Sequence, residues 1–185
     1  MISVTLRLAT VAVGAASLSL GTASLAKNPT VGGAAMYPTR NIVENAVNSK
    51  DHTTLVAAVK AAGLVDTLSG KGPFTVFAPT NAAFAKLPPA MVEMVGQPES
   101  KAKVANVLTY HVVPGRLTRS SIASLIRKGK GTAKLTTVQG ERLVARMKGN
   151  TLWLTDAKGG TSRVTIANVM QSNGVIHVVD TVLMP

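Results

Sequence analysis

Histidine is the residue type in this sequence best suited to acid–base or metal chemistry, and the chain has three: His52, His111 and His177. None has a second histidine at ligand spacing, and no paired carboxylates accompany them. Metal centres and carboxylate-assisted proton transfer need several such groups brought together. We therefore interpret the three histidines as structural or surface residues, and we predict no metal and no cofactor.

A serine–histidine–aspartate triad is the one hydrolytic arrangement to consider. It would need Ser120 or Ser121 beside His111 or His177, with Asp180 as the third member. The Gly-x-Ser-x-Gly turn that presents the nucleophile in α/β-hydrolases is absent from the sequence. The chain also has no cysteine, which excludes thiol nucleophiles and zinc–thiolate sites. The sequence therefore predicts a protein that is not an enzyme.

Positive charge is the strongest chemical feature of the sequence, with 20 Lys and Arg against 8 Asp and Glu. Such an excess favours anionic partners. Nine cations fall between residues 116 and 148, where Glu141 is the only carboxylate, and we call them the basic segment. Six are predicted to bind an anionic surface: Arg116, Arg119, Arg127, Lys128, Lys130 and Lys134. The other three are Arg142, Arg146 and Lys148.

Residues 127–130 are expected to lie on an exposed loop, where long cationic side chains can meet phosphate or carboxylate groups. The alternative is a solvated basic face that contributes only solubility. Nucleic acid is not a predicted partner, because binding to single strands relies on several aromatic platforms and Trp153 is the only one nearby.

The start of the chain has the three parts of a secretory signal. Arg7 gives a positive charge, residues 8–20 are apolar, and Ser24 and Ala26 are small residues at the cleavage positions. The apolar run is shorter than the roughly 20 residues that span a membrane. We predict that residues 1–26 are cleaved, that residues 27–40 form a flexible segment, and that the domain covers residues 41–185. The mature chain would be exported to the periplasm or secreted, without a transmembrane segment.

Residues 74–84 combine a strand, a stop and a helix start. Residues 74–77 alternate as in a short buried strand, and Pro79 cannot donate to a further ladder hydrogen bond. Thr80 or Asn81 can cap the short helix that follows. This stretch contains every phenylalanine of the chain, and we predict that it is a packing centre: Phe74, Phe77 and Phe84.

Helical apolar spacing dominates the first two-thirds of the chain, and short β-like runs follow from residue 132. Asn173-Gly174 is the preferred pair for a tight primed turn and predicts a hairpin whose second strand is residues 175–179. Helices first and strands later indicate an α+β fold rather than repeated βαβ units.

Three segments in this order resemble the fasciclin domain family: residues 74–84, residues 108–115, and residues 166–169 followed by residues 173–185 with Asn173-Gly174 and Asp180. The resemblance covers residues 41–185. It implies a compact α+β domain in which a wedge of two β-sheets is flanked by several short helices. It also implies an exported, cofactor-free role in adhesion or in contacts with the envelope or extracellular matrix.

Tyr110-His111 matches the pair that the family associates with cell-surface receptor binding, so the resemblance implies a partner-binding surface there. A structural role is the alternative, because His111 continues the apolar helix stripe of Val104, Val107 and Leu108. Asn81 and Asp180 are expected to hold turns and caps.

Two functions remain open at this point. The first is a non-enzymatic exported module for adhesion, with a protein, an anionic polysaccharide or lipid head groups of the envelope as its partner. The second is a carrier of a small apolar ligand, because some fasciclin-like proteins are associated with carotenoid binding. The seven methionines of the chain could line an adaptable groove for a carotenoid or lipid.

Overall fold

The structure is a computed structural model that describes residues 28–94 and 97–185. The predicted signal peptide lies outside the described residues. The helices are α1 (Ile42–Ala46), α2 (Thr53–Ala62), α3 (Val65–Ser69), α4 (Asn81–Phe84), α5 (Pro89–Met94), α6 (Lys101–Tyr110) and α7 (Arg119–Lys128), with 3-10 turns at Lys50–His52 and Pro98–Ser100. The strands are β1 (Phe74–Pro79), β2 (Val112–Pro114), β3 (Ala133–Thr136), β4 (Arg142–Lys148), β5 (Thr151–Thr155), β6 (Thr161–Gln171) and β7 (Gly174–Val179).

The strands follow the order β2-β1-β7-β6-β5-β4-β3, with β1 and β7 parallel and the other neighbours antiparallel. The start of β6 pairs with β5, and most of its length pairs with β7. Its register with β7 shifts between Val164 and Ile166 and again before Val169, and such irregularities bend a strand. The strand thereby joins two sheets, which confirms the predicted α+β wedge.

Two apolar cores lie on opposite sides of β1. Val76 and Ala78 belong to a helical core that also contains apolar residues of α1, α2 and α6. Phe77 faces a sheet core in which Ile122 and Ile126 of α7 pack on the inner face of β3, β4 and β5. Since parallel strands in sheets are commonly buried on both faces, β1 and β7 fit this central position. The predicted packing centre is therefore the element between the two cores.

The two candidate caps after β1 act on different helices. Thr80 caps α4, because its Oγ1 accepts a hydrogen bond from the Ala83 amide at 3.2 Å. Asn81 reaches the start of α2 instead: Oδ1 accepts from the Thr54 amide at 3.0 Å, and Nδ2 donates to the Lys50 carbonyl at 2.9 Å. One strand end thus orders two helix starts.

The β6–β7 hairpin is present, but its turn differs from the predicted one. The two loop residues are Ser172 and Asn173, neither of which has a positive φ, and Gly174 is already the first residue of β7. The turn is therefore not of the primed type. A Cβ on Gly174 would lie 2.1 Å from the Phe74 carbonyl oxygen. Glycine is needed here because β1 approaches closely, and this tertiary constraint moves the turn by one residue.

Asn173 ties the hairpin to two helices. Its Oδ1 accepts from the Ile42 amide at the start of α1 at 3.0 Å. Its Nδ2 donates to the Leu68 and Gly70 carbonyls, at the end of α3, at 2.8 and 2.9 Å. A single side chain therefore satisfies three backbone groups that the helix ends leave unpaired.

Residues 28–40 pack against the domain, which does not fit the expected flexible segment. Val31 and Met36 are buried in the helical core. Asn28 exchanges two hydrogen bonds with the backbone of Met170 in β6, at 2.7 and 2.9 Å. The glycine- and proline-rich composition indicated flexibility, but two apolar side chains and one asparagine hold the segment in place.

Replacing Asn173 with alanine should lower the free energy of unfolding by about 2–3 kcal/mol, since three buried or half-buried backbone groups lose their partner. Urea denaturation followed by circular dichroism measures the change. Asn48→Ala is the matched control, because the exposed Asn48 side chain makes one local bond to the Glu44 carbonyl. Equal losses in the two variants would show that Asn173 does not link the hairpin to the helices.

Candidate functional site

The strands β3, β4, β5 and the start of β6 expose one face of their sheet. Along each strand buried and accessible side chains alternate, and α7 covers the buried face. We call the accessible side the open face. It carries five cations: Lys134, Arg142, Arg146, Lys148 and Arg163. The cations come from β3, β4 and β6, and none of the four strands contains Asp or Glu.

Trp153 lies at the centre of the open face. It pairs directly with Arg146 of β4 on one side and with Arg163 of β6 on the other. The Lys148 ammonium lies 4.8 Å from the centroid of the Trp153 ring, a cation–π contact. Arg163 Nε pairs with Asp180 Oδ2 at 3.3 Å, and the Arg163 amide donates to Asp180 Oδ1 at 2.9 Å. The indole is therefore surrounded by three long cationic side chains.

The structure divides the basic segment among several locations. Lys134, together with Arg142, Arg146 and Lys148, lies on the open face. Arg127 and Lys128 form the last turn of α7, where cations suit the helix dipole, rather than an exposed loop. Lys130 follows in the turn after the helix. Because α7 covers the inner side of the sheet, these three cations lie across the sheet from the open face.

Arg116 and Arg119 brace turns of the backbone. Arg116 Nη2 donates to the Ser172 carbonyl at 2.9 Å. Arg119 Nη2 donates to Asn150 Oδ1 at 2.6 Å and also contacts the Asn150 carbonyl. Sequence reasoning missed Arg163, which lies outside the basic segment. Its alternation with Ser162 and Val164, both buried, is the signal that places it on an accessible strand face.

Tyr110 and His111 are both buried in the core and do not form the exposed contact surface that the resemblance implied. Tyr110 Oη donates to the Arg142 carbonyl at 3.2 Å and accepts from the Ala157 amide at 3.0 Å. His111 Nε2 accepts from the Leu183 amide at 3.0 Å, so Nδ1 carries the proton and donates to the Val107 carbonyl at 2.8 Å. The pair joins α6 to β4, to the β5–β6 turn and to the C-terminal residues.

Burial keeps the three histidines neutral. Loss of solvent lowers the pKa of His111 to about 4, although the Val107 carbonyl and the nearby Asp156 carboxylate act in the opposite direction. Burial likewise lowers the pKa of His52 and that of His177, which stacks on Phe77 at a ring-centroid distance of 5.6 Å. Below neutral pH, the histidines are protonated more readily in the unfolded chain than in the folded one, so they lower the stability of the fold.

The members of the conceivable catalytic triad do not meet. Ser120 and Ser121 Oγ bond to Thr118 Oγ1 at 2.8 and 2.9 Å. His177 Nε2 bonds to the Leu117 carbonyl at 2.8 Å, and Asp180 pairs with Arg163 as described above. Each group has another structural partner.

A buried serine–histidine contact does occur elsewhere. Ser49 Oγ lies 2.8 Å from His52 Nδ1, and His52 Nε2 has no hydrogen-bond partner among the described residues. Both side chains line an apolar cavity of about 50 Å³ beneath α1 and α2. That volume exceeds what a single water needs but is below the roughly 150 Å³ of a cavity that takes benzene. The contact is a local one between residues three apart.

A larger apolar groove runs between α2, α5, α6 and the C-terminal residues, with a volume of about 250 Å³. Met91 and Met184 contribute to it, and Lys103 and Lys158 add two cations to its lining. Among residues 28–94 and 97–185, no cluster of three potential metal-binding side chains occurs. In the same ranges, no helix is both long and apolar enough to cross a membrane.

The two-sheet wedge with its flanking helices defines a protein of the fasciclin class. The family model of the Fasciclin domain matches residues 50–185, and the chain belongs to this family. Fasciclin domains are generally associated with adhesion and interaction, without enzymatic activity.

The chain is similar to several known proteins. It is 44% identical to Protein sll1483 of Synechocystis sp. over 161 residues, which cover 86% of this chain and 81% of that protein. It is 35% identical to the cell surface glycolipoprotein MPB83 of Mycobacterium bovis, covering 86% of this chain and 68% of that protein. The fold matches the FAS1 domain pair of the insect cell adhesion molecule fasciclin I with a TM-score of 0.71 at 16% identity, over 79% of this chain and 51% of that chain.

The low pKa of His111 predicts that stability falls as the pH drops from about 6.5 to 4. The unfolded chain takes up a proton near its ordinary pKa of 6.5, whereas the folded chain does so only near 4. This histidine alone should reduce the free energy of unfolding by about 3 kcal/mol across that window and contribute nothing above it. Urea denaturation at several pH values measures the slope.

His111→Gln should make this slope less steep, because it removes one of the three histidines whose pKa values burial lowers. Tyr110→Phe is the matched control, since it loses the neighbouring hydroxyl bonds but keeps His111. An unchanged slope in His111→Gln, measured between pH 6.5 and 5 where few carboxylates titrate, would contradict a lowered pKa at this residue.

Proposed function

We propose that this protein is an exported, non-enzymatic interaction module that uses the open face to bind an anionic component of the envelope or extracellular matrix. The observation that carries the proposal is the open face itself: five cations on four strands that contain no carboxylate. The signal-like residues 1–26 support export to the periplasm or the exterior. The cell-surface relative in Mycobacterium bovis and the adhesion role of the insect fold neighbour are consistent with it.

The open face fits this role better than the other cations of the basic segment. Arg116 and Arg119 already bond to backbone carbonyls or to Asn150. Arg127 donates to Ser124 Oγ at 2.9 Å within α7. On the open face, by contrast, the cations share one accessible sheet surface: Arg146 and Arg163 lie on either side of Trp153, with roughly 10 Å between their backbones. Of the five cations only Arg163 forms an ion pair among the described residues, with Asp180. Closely spaced positive charges raise the local potential and attract polyanions at low salt.

Reversing charges on the open face should weaken polyanion binding more than the same reversal elsewhere. The test variant is Lys134→Glu, Arg146→Glu and Lys148→Glu combined, and elution from a heparin column against salt is the measurement. Elution at clearly lower salt is expected, together with a smaller dependence of affinity on salt, because three cation–anion contacts are lost.

The matched control reverses three cations across the sheet: Arg127→Glu, Lys128→Glu and Lys130→Glu. Both variants change the net charge equally, so they separate a localised site from a general charge effect. Equal shifts in elution would contradict a site on the open face, and no shift in either would remove the electrostatic mechanism. Thermal melting of both variants verifies that they remain folded.

A carrier of a small apolar ligand is the second candidate, and the groove between α2, α5 and α6 favours it. Its lining is mostly apolar, with the two methionines Met91 and Met184 as adaptable side chains. Lys103 and Lys158 would suit the carboxylate of a fatty acid. At about 250 Å³ the groove has room for part of an acyl chain or one terminal ring, while the remainder of a carotenoid would lie outside it.

Introducing a charge into the groove should abolish such binding. Val107 lines the groove, and the test variant is Val107→Asp. Its affinity for the fluorescent fatty acid cis-parinarate should fall at least about fivefold, because apolar contact is lost and a carboxylate is introduced. Leu125→Asp on α7, where the side chain is 39% exposed, is the control. If the unmodified protein does not bind the probe, or both variants bind it equally, the carrier function is excluded for this groove.

A further inference from the structure

Trp153 is the only tryptophan of the chain. Purely electrostatic binding to an anionic surface does not explain a tryptophan among the cations of the open face. Its side chain is half-buried at the centre of the open face, between Arg146 and Arg163. Binding to a diffuse anionic surface requires only cations. A large aromatic ring among them adds a flat apolar platform with a polarised face.

The side chains around Trp153 are rich in hydroxyl groups. In register on neighbouring strands, Thr155 pairs with Thr161, and Thr151 pairs with Lys148. Threonine hydroxyls donate and accept hydrogen bonds. The open face therefore combines three kinds of group that suit an acidic sugar. The aromatic ring can stack on the sugar ring, the threonine hydroxyls can hydrogen-bond to the sugar hydroxyls, and the guanidinium groups can bind its acidic substituents.

The spacing of the two arginines suits a chain of sugars. Arg146 and Arg163 lie two strands apart, which corresponds to roughly 10 Å between their backbones, with Trp153 between them. A guanidinium binds carboxylate or sulfate groups through two parallel hydrogen bonds. One sugar ring can therefore stack on the indole while an acidic group on a neighbouring ring meets Arg146. Arg163 pairs with Asp180 through Nε, so a second acidic group would meet its Nη atoms.

We propose that the open face, centred on Trp153, is a binding site for an acidic polysaccharide that carries carboxylate or sulfate groups. The inference rests on the proposed function and specifies its partner. A lipid surface fits less well, because interfacial binding relies on aliphatic and aromatic side chains that insert between lipids. On the open face, Val144 is the only accessible aliphatic residue.

The fluorescence of the single tryptophan reports directly on this site. The purified protein is titrated at fixed salt with oligogalacturonate, with heparin oligosaccharides, with neutral dextran and with phosphatidylglycerol vesicles. We expect a saturable change in indole emission with at least one acidic oligosaccharide and none with dextran. A response to the vesicles alone would overturn the polysaccharide assignment.

The variants separate stacking from charge. Trp153→Ala should lower the affinity for the responding oligosaccharide about tenfold by calorimetry, without altering the salt dependence. Trp153→Phe should retain most of the affinity, because it keeps an aromatic ring, and this second variant guards against misfolding of the first. The triple reversal at Lys134, Arg146 and Lys148 should instead reduce the salt dependence.

The outcomes distinguish the two proposals. Unchanged affinity in Trp153→Ala, with weaker binding in the triple variant, would overturn the sugar-stacking site and leave the electrostatic function intact. Unchanged affinity in both variants would overturn the proposed function as well.

Discussion

The parallel pairing of β1 with β7 is the contact on which the rest of the domain depends. It joins a strand from the first half of the chain to the last strand, and both are buried between the helical core and the sheet core. The pairing requires Gly174 beneath the Phe74 carbonyl, positions Phe77 against His177, and lets β1 end where Thr80 and Asn81 reach two helices. Loss of this pairing would separate the helices from the sheet that they cover.

The bend of β6 connects this buried centre to an accessible surface. The residues of β6 from Val164 onward lie beside β7 and are held by the core, whereas Thr161 to Arg163 pair with β5 and present Arg163 outward. Asp180, directly after β7, holds that arginine through its carboxylate. The position of a cation on the open face is therefore set by the end of the central strand pair, so the fold orients the surface that we propose to be functional.

Local signals in the sequence predicted much of the fold, while contacts between distant residues determined what they missed. Pro79 ends the strand and Thr80 caps the helix through contacts with nearby residues in sequence, so the end of β1 and the start of α4 can be predicted from the sequence. The predicted Asn173-Gly174 turn is one residue too late. Gly174 belongs to β7, where the close approach of Phe74, a hundred residues away in sequence, leaves no room for a side chain. For Tyr110-His111 the sequence supports both a surface and a core position, and the apolar stripe that contains His111 is the signal that agrees with the buried position in the structure. The basic segment was continuous in sequence, but the packing of α7 against the sheet divides it between two sides.

The protein responds to pH and to ionic strength through different residues: the histidines are buried, and the lysines and arginines of the open face are accessible. The histidines are neutral because burial lowers their pKa values, so acidification acts on the stability of the fold. The cations of the open face are Lys and Arg only, and no histidine lies among them. The attraction of a polyanion to the proposed surface is therefore expected to depend on ionic strength. The proposed surface is carried by a core whose stability falls on acidification, because burial lowers the pKa of His111 to about 4, so the two responses meet only where the fold itself becomes less stable.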